Sequence, residues 1–313
     1  MKRVFIIGIL CFFALGAVQI GPAKKVKMGK APYFAALNPA LNVLYVTNFA
    51  SDEVLVIDAE KHVVRKRFYA GVEPLGIAVT PSGDKIFVTN MAPGLVKVVN
   101  SKDYSTIDDI KVGSVPSNVV ISPRGSMAFI TNFGKGKIGK VDFVDTTSHR
   151  IVAEVEVGIR PLGAVVSPGE DRVYVVCGGS NEVYVIDVPG RKVIEQIPVG
   201  LTPDGIEISP DGNTLYVANS GSNDISVVDL IEMTEKQRIA VGAKPFSLAV
   251  SATGGLFVVE TGNETLSLYG PDMQKLATTR VGKKPIDVCL SKDERFAFVT
   301  VEKDNELAVY EVR

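Results

Sequence analysis

A Gly-x-x-Pro tetrad recurs seven times along this chain, at Gly29/Pro32, Gly71/Pro74, Gly113/Pro116, Gly158/Pro161, Gly200/Pro203, Gly242/Pro245 and Gly282/Pro285. The glycines are spaced by 42, 42, 45, 42, 42 and 40 residues. A unit that short cannot bury a core alone, so its copies must stack on one another. Within each unit an apolar stretch such as Gly76-Ile-Ala-Val79 follows the Pro, then a turn of the kind Ser209-Pro-Asp-Gly212. Next come an aromatic strand, a polar Gly/Ser/Asn/Asp loop, and a third strand such as Val54-Leu-Val-Ile-Asp58 or Val183-Tyr-Val-Ile-Asp187. A fourth strand, such as Val193-Ile-Glu-Gln-Ile197, leads into the next Val-Gly. Four β-branched or aromatic strands between Pro/Gly/Asn turns, with no helical period, describe a β-propeller blade. The predicted fold is all-β, a seven-bladed propeller of four-stranded antiparallel blades. A residue of Asp58 type lies 29 positions after the Gly in most units, at Asn100, Asp142, Asp187, Asp229 and Glu311, and the sixth unit slips by one after Ser251. The three extra residues of the third unit are placed after Asp142, in an outer turn.

The seventh unit ends at Arg313 after its third strand, whereas Lys24-Lys-Val-Lys-Met28 precedes the first Gly with no strands of its own. Residues 23–28 are therefore expected to complete blade seven and hide its open edge. Before them, Lys2 and Arg3 precede an apolar run from Val4 to Val18 with a small-residue exit at Ala14, Gly16 and Ala17. Residues 1–16 read as a secretory signal and 17–313 as one propeller domain. The run is about fifteen residues, short of the roughly twenty a spanning helix needs. The expected location is periplasmic, extracellular or at the cell surface, with no membrane span after cleavage. Removing residues 1–16 leaves 32 basic and 35 acidic residues. That balance and the absence of Trp argue against nucleic acid as a partner.

At Tyr45-Val-Thr-Asn48, Phe87-Val-Thr-Asn90 and Phe129-Ile-Thr-Asn132 the sequence resembles the YVTN-repeat β-propeller family, over residues 24–313. The resemblance implies the propeller fold. It also implies a range of roles: exported and surface-layer propellers, periplasmic proteins with proposed nucleic-acid binding, lactonase-like enzymes, and relatives in quinoprotein and haem-d1 systems. Fold alone does not choose among them.

The Thr-Asn pairs read as structural, the Asn side chain closing the turn after its strand; blades four, six and seven carry Cys177, Glu260 and Val301 instead. His62 and His149 fall in turns between third and fourth strands and are expected to be exposed, too far out for a channel ligand or a Ser-His-Asp triad. Cys177 and Cys289 lie on different blades, so free thiols are expected rather than a disulfide. No catalytic residue, metal site or cofactor is assigned.

Candidate binding residues sit at the channel mouth formed by the Gly-x-x-Pro loops. Arg160, Lys244 and Lys284 immediately precede their prolines, and Tyr33, Asp204 and Phe246 immediately follow theirs. Asn118 and Asp287 come one position later, and the Lys135-Gly-Lys137 loop adds positive charge. Four residues after each Pro stand Ala36, Ala78, Val120, Val165, Glu207, Ala249 and Cys289, in which Glu207 is the single charge. A carboxylate there must face channel water or find a partner, Arg160 or a lysine being the expected one. Asp204 and Asp287 are expected near it. Glu207, Asp204 and Asn118 are the set from which a calcium site could be assembled. The functional expectation is an exported, non-catalytic binding or assembly module for a protein, a cell-envelope polymer or a small anionic ligand at the mouth. The alternative is a lactonase-like hydrolase or an accessory to a redox-cofactor system.

Overall fold

The computed structural model describes residues 20–21, 23–134 and 138–312. The proposed signal and the Lys135–Lys137 loop lie outside these residues. Seven four-stranded antiparallel sheets form the ring, and six of them add their strands in sequence order from the channel outwards. The seventh sheet is built from Pro285–Leu290, Phe296–Val301, Glu306–Glu311 and, as outermost strand, Lys24–Lys27. Lys24 pairs with Val309 and Val26 with Leu307, and Ile20 bridges Val312 beyond them. The expected closure of the ring by residues ahead of the first Gly is therefore present. Among the described residues no helix is long and apolar enough to cross a membrane.

Strand period explains why the second strands are apolar almost throughout. In Val43–Asn48 every residue is buried. Successive side chains point to opposite faces, so Val43 and Tyr45 pack against blade two while Leu44 and Val46 pack against blade seven. The same alternation gives one hydrophobic cluster at each blade interface, for example Phe87 and Val98 against Val119 and Ile130 between blades two and three. Outermost strands have only one covered face, and Val63–Tyr69 is accordingly exposed along most of its length.

Polar residues of the repeat fix its turns. In blades two to seven a Ser or Thr ahead of the first turn accepts the N–H that opens the second strand, as Ser209 does from Thr214 at 2.9 Å and Ser291 from Phe296 at 3.0 Å. Asn38 of blade one accepts the N–H groups of Ala40 and Leu41 within its turn. In blade six Ser251 accepts instead from Gly255, one position nearer, which absorbs the single-residue slip.

The Thr and Asn of the repeat have separate jobs. Thr47 donates to the Leu75 carbonyl of the next blade at 2.9 Å, Thr131 to Leu162 at 3.0 Å and Thr300 to Tyr33 at 2.6 Å. At these three positions the Thr hydroxyl stitches one blade to the next, while Thr89 bonds to Gly76 within its own blade. In blades one to three the Asn side chain does not close the following turn, as expected from sequence, but donates back along its own strand, Asn90 to Val88 at 3.1 Å. Asn219 of blade five does span that turn, donating to Asp224 at 2.7 Å. The Asn packs beneath the Gly of its own Gly-x-x-Pro loop: a Cβ on Gly71 would lie 2.2 Å from Asn90 Oδ1, and one on Gly200 2.5 Å from Asn219 Cγ. Glu260 fills this position in blade six, accepting Gly242 N–H at 2.8 Å, the Thr265 hydroxyl at 2.6 Å and the Ser267 hydroxyl at 2.9 Å.

Two sequence expectations are corrected here. Met127 pairs with Asp145 as Val43 pairs with Asp58, so Asp145, not Asp142, is the turn-capping residue of blade three. Its side chain accepts the N–H groups of Thr147 and Ser148 at 3.1 and 2.7 Å. The three extra residues therefore lie between Asn132 and Lys140, in the loop on the mouth side, not in the outer turn. Asp142 is buried instead, holding Gly113 N–H at 2.9 Å and the Asn132 amide at 3.1 Å. The second correction concerns the histidines, which occupy the predicted turns but are not exposed. The His62 ring packs edge-on at 4.5 Å against Phe296 of blade seven, and burial lowers its pKa. His149 reaches Lys85 at 3.4 Å and Asp108 at 3.2 Å on blade two. Each turn wedges into the preceding blade.

Candidate functional site

The seven innermost strands enclose a chamber of about 580 Å³. All seven residues four positions after the prolines line it, as the repeat alignment implies. Its lining runs from Asp204 and Phe246 near the Gly-x-x-Pro loops to Pro123 and Glu294 in turns at the opposite end.

Five of the nine candidate residues meet in this chamber: Asn118, Asp204, Glu207, Phe246 and Asp287. Arg160, Lys244, Lys284 and Tyr33 are not part of its wall. Each residue ahead of a proline adopts a left-handed backbone, with φ of 56° at Arg160, 52° at Lys244 and 56° at Lys284. Its carbonyl accepts from the loop after the second strand, Arg160 from Gly178 at 3.0 Å and Lys244 from Thr261 at 3.0 Å. These loops are latches first. Arg160 and Lys244 are exposed on the rim, and Lys284 is ion-paired with Glu302. Sequence reasoning placed the cations on the correct face but could not separate the rim from the chamber.

Tyr33 belongs to blade one, yet its ring stands 6.2 Å from that of Phe246 on blade six, edge to face. Phe34 lies 5.0 Å away and Phe49 6.4 Å. The two aromatics meet across the width of blade seven at the mouth end of the channel. Burial, then the charges of Glu302, Asp204 and Asp287, push the Tyr33 phenol well above its ordinary range.

The carboxyls differ in how they are satisfied. Asp287 accepts Ala35 N–H at 2.9 Å from blade one and the Ser247 hydroxyl at 2.6 Å from blade six. Burial still raises its pKa to about 6. Asp204 takes the Ser220 hydroxyl, and burial raises its pKa while the Arg160 charge opposes the rise. Glu207 lies deep in the molecule with part of its surface open to the chamber. Burial raises its pKa to about 8, eased by the Ile208 N–H and reinforced by the Asp287 charge. The expected pairing of Glu207 with Arg160 or a lysine is not present among the described residues. Neither is the calcium set. No group of three His, Cys, Asp or Glu side chains among them could hold a metal ion, and Asn118 Oδ1 is occupied by Val119 N–H at 2.8 Å. Cys289 also lines the chamber, but burial pushes its thiol up to about 12, which leaves it protonated and a poor nucleophile.

The family model described as "Lactonase, 7-bladed beta-propeller" matches residues 13–285. Among solved structures, a chain of hydrazine synthase from Kuenenia stuttgartiensis superposes with a TM-score of 0.82 over 90% of this chain and 95% of that one. At 21% identity this likeness concerns the fold. No curated protein matches. With seven four-stranded blades and a family match across most of its length, the chain belongs to the seven-bladed β-propeller lactonase family.

Proposed function

We propose that this chain is an exported binding module, of the YVTN-repeat type within its family, that holds a small molecule in the central chamber. The chamber itself carries the reading: about 580 Å³ of space lined by alkyl and aromatic side chains, exposed backbone and a few carboxyls, a mixture of apolar surface and polar groups suited to a small molecule. The basic run at Lys2 and Arg3 followed by apolar residues supports export. A small anion is a poor fit inside, because no Lys, Arg or His among the described residues lines the space. Native mass spectrometry of the mature protein from its own source is expected to show a non-covalent adduct lost on denaturation. In Ala249→Phe, whose ring would occupy the chamber, the adduct should be absent. A bare wild-type mass, or an adduct untouched by that substitution, contradicts the reading.

One observation favours a second reading, hydrolysis of a lactone. Glu207 and Asp287 face one chamber with pKa values of about 8 and about 6, so one carboxyl is protonated and the other ionised at neutral pH. Carboxyls set apart in this way can serve as acid and base. Under that reading, wild type hydrolyses members of a γ- and δ-lactone panel and Glu207→Gln loses about a hundredfold or more in kcat. Absence of turnover across the panel in wild type removes it.

A further inference from the structure

We infer that the chamber takes an amphipathic amine, a small organic ammonium whose head meets Glu207 and whose apolar part lies on the opposite wall. The inference rests on the channel-binding reading and adds the ligand's chemistry.

Among the described residues, charge in the chamber is one-signed and one-sided. Four carboxyls line it, Asp204 and Glu207 from blade five and Asp287 and Glu294 from blade seven. Three of them are answered from within the protein. Asp204 takes the Ser220 hydroxyl, Asp287 takes Ala35 N–H and the Ser247 hydroxyl, and Glu294 takes Ala252 N–H at 2.7 Å. Glu207 is different. It is enclosed by the molecule, faces the open space, and among the described residues has no cation and no side-chain donor. Its neighbour Ile208 supplies one backbone N–H. The Glu207 oxygens keep some exposure to the chamber, so among the described residues only solvent competes for them. A cation arriving with the ligand supplies a charge-assisted partner in a low-dielectric space.

The remaining wall narrows the class. Blades two, three and four present mainly alkyl side chains, among them Ala78, Val120 and Val165. Phe34 and Phe246 add ring surface near the acidic sector, suited to the flank of a cation. A metal ion is the wrong cation, because the carboxyls do not converge on one point. An ammonium needs only one carboxylate and the rings, and its alkyl or aryl tail matches the wall opposite. Ion pairing draws Glu207 to its ionised form, so uptake of the ammonium releases a proton to solvent.

The test is isothermal titration calorimetry on the purified mature protein at neutral pH. The probes are three compounds of similar shape: 2-phenylethylammonium, 2-phenylethanol and 3-phenylpropionate. The expected result is saturable one-to-one binding of the ammonium, at least about tenfold tighter than the alcohol, with an enthalpy that varies with the buffer's ionisation heat. Glu207→Gln should lose about tenfold or more in ammonium affinity, leave the alcohol unchanged, and melt no lower than wild type. Equal binding of ammonium and alcohol, preferred binding of the carboxylate, or an unchanged ammonium affinity in Glu207→Gln overturns the inference while leaving a chamber that binds small molecules. If none of the three binds, the amine inference is overturned; an adduct-free native mass is the separate result that removes the channel reading with it.

Discussion

Deleting residues 20–28 is expected to lower the melting temperature by roughly 10 °C and to produce concentration-dependent association. The deletion removes Lys24–Lys27, the outermost strand of blade seven, and the Ile20–Val312 bridge beyond it. Val26 is only 7% exposed and packs with Leu307, Val309 and Leu55, so its loss alone costs about 2 kcal/mol. The Lys25–Glu306 contact at 2.8 Å is exposed and adds little. The larger consequence is topological. Without this strand the two ends of the ring are joined only by contacts between blades one and seven, and Glu306–Glu311 becomes an unpaired edge. Thermal melts and size-exclusion chromatography over a concentration series measure both effects. A monodisperse profile with an unchanged melting temperature would mean that the closing strand is dispensable.

Gly205→Ala should destabilise the protein by about 3 kcal/mol and abolish binding in the chamber. A Cβ at Gly205 would lie 2.4 Å from the Phe246 carbonyl oxygen and 3.2 Å from Ser247 Cα. Both belong to the backbone of blade six and cannot rotate away. The blades must separate where Asp204, Glu207 and Phe246 stand, which moves three candidate residues together. Gly169→Ala is the matched control, since its Cβ would meet only the Asp171 carboxylate, at 3.3 Å, and that side chain can turn. Its expected change is within about 0.5 kcal/mol. Denaturant unfolding of the two variants separates the cases, and equal losses would refute the close-approach argument.

How much of this was readable beforehand depended on whether a residue's role is repeated. The tetrads, the second-strand Thr-Asn pairs and the Ser-Pro turns recur in phase, so the blades and the closing strand followed from spacing alone. The single slip at Ser251 was visible because six other copies define the register. Blade three misled because Asp142 happens to fall at the counted distance, while strand pairing with Met127 selects Asp145. Counting along a chain cannot tell an insertion before a position from one after it. The expected exposure of His62 fails for another reason. A turn residue is usually exposed, but here the turn docks on Phe296 of a blade more than 200 residues away in sequence. In the candidate site, the ring containing Glu207 followed from the repeat. Its lack of a cation did not, because whether Arg160 reaches inwards depends on the left-handed backbone before Pro161.

Raised carboxyl pKa values also fix a pH dependence. A carboxyl with a higher pKa in the folded state contributes stability that is complete below its unfolded pKa and is lost as pH rises through the folded value. For Glu207 the loss runs from about pH 4.5 to about 8, and for Asp287 from about 3.8 to about 6. The most direct test of the central claim, that the chamber holds an acid the protein itself leaves unpaired, is the titration of Glu207. Carbon-13 NMR of side-chain-carboxyl-labelled glutamate follows it, with Glu207→Gln to assign the signal. The predicted midpoint is near pH 8, falling when an ammonium ligand is added. A midpoint in the ordinary range of about 4 to 5, unmoved by ligand, would show that Glu207 is already satisfied and would contradict the account.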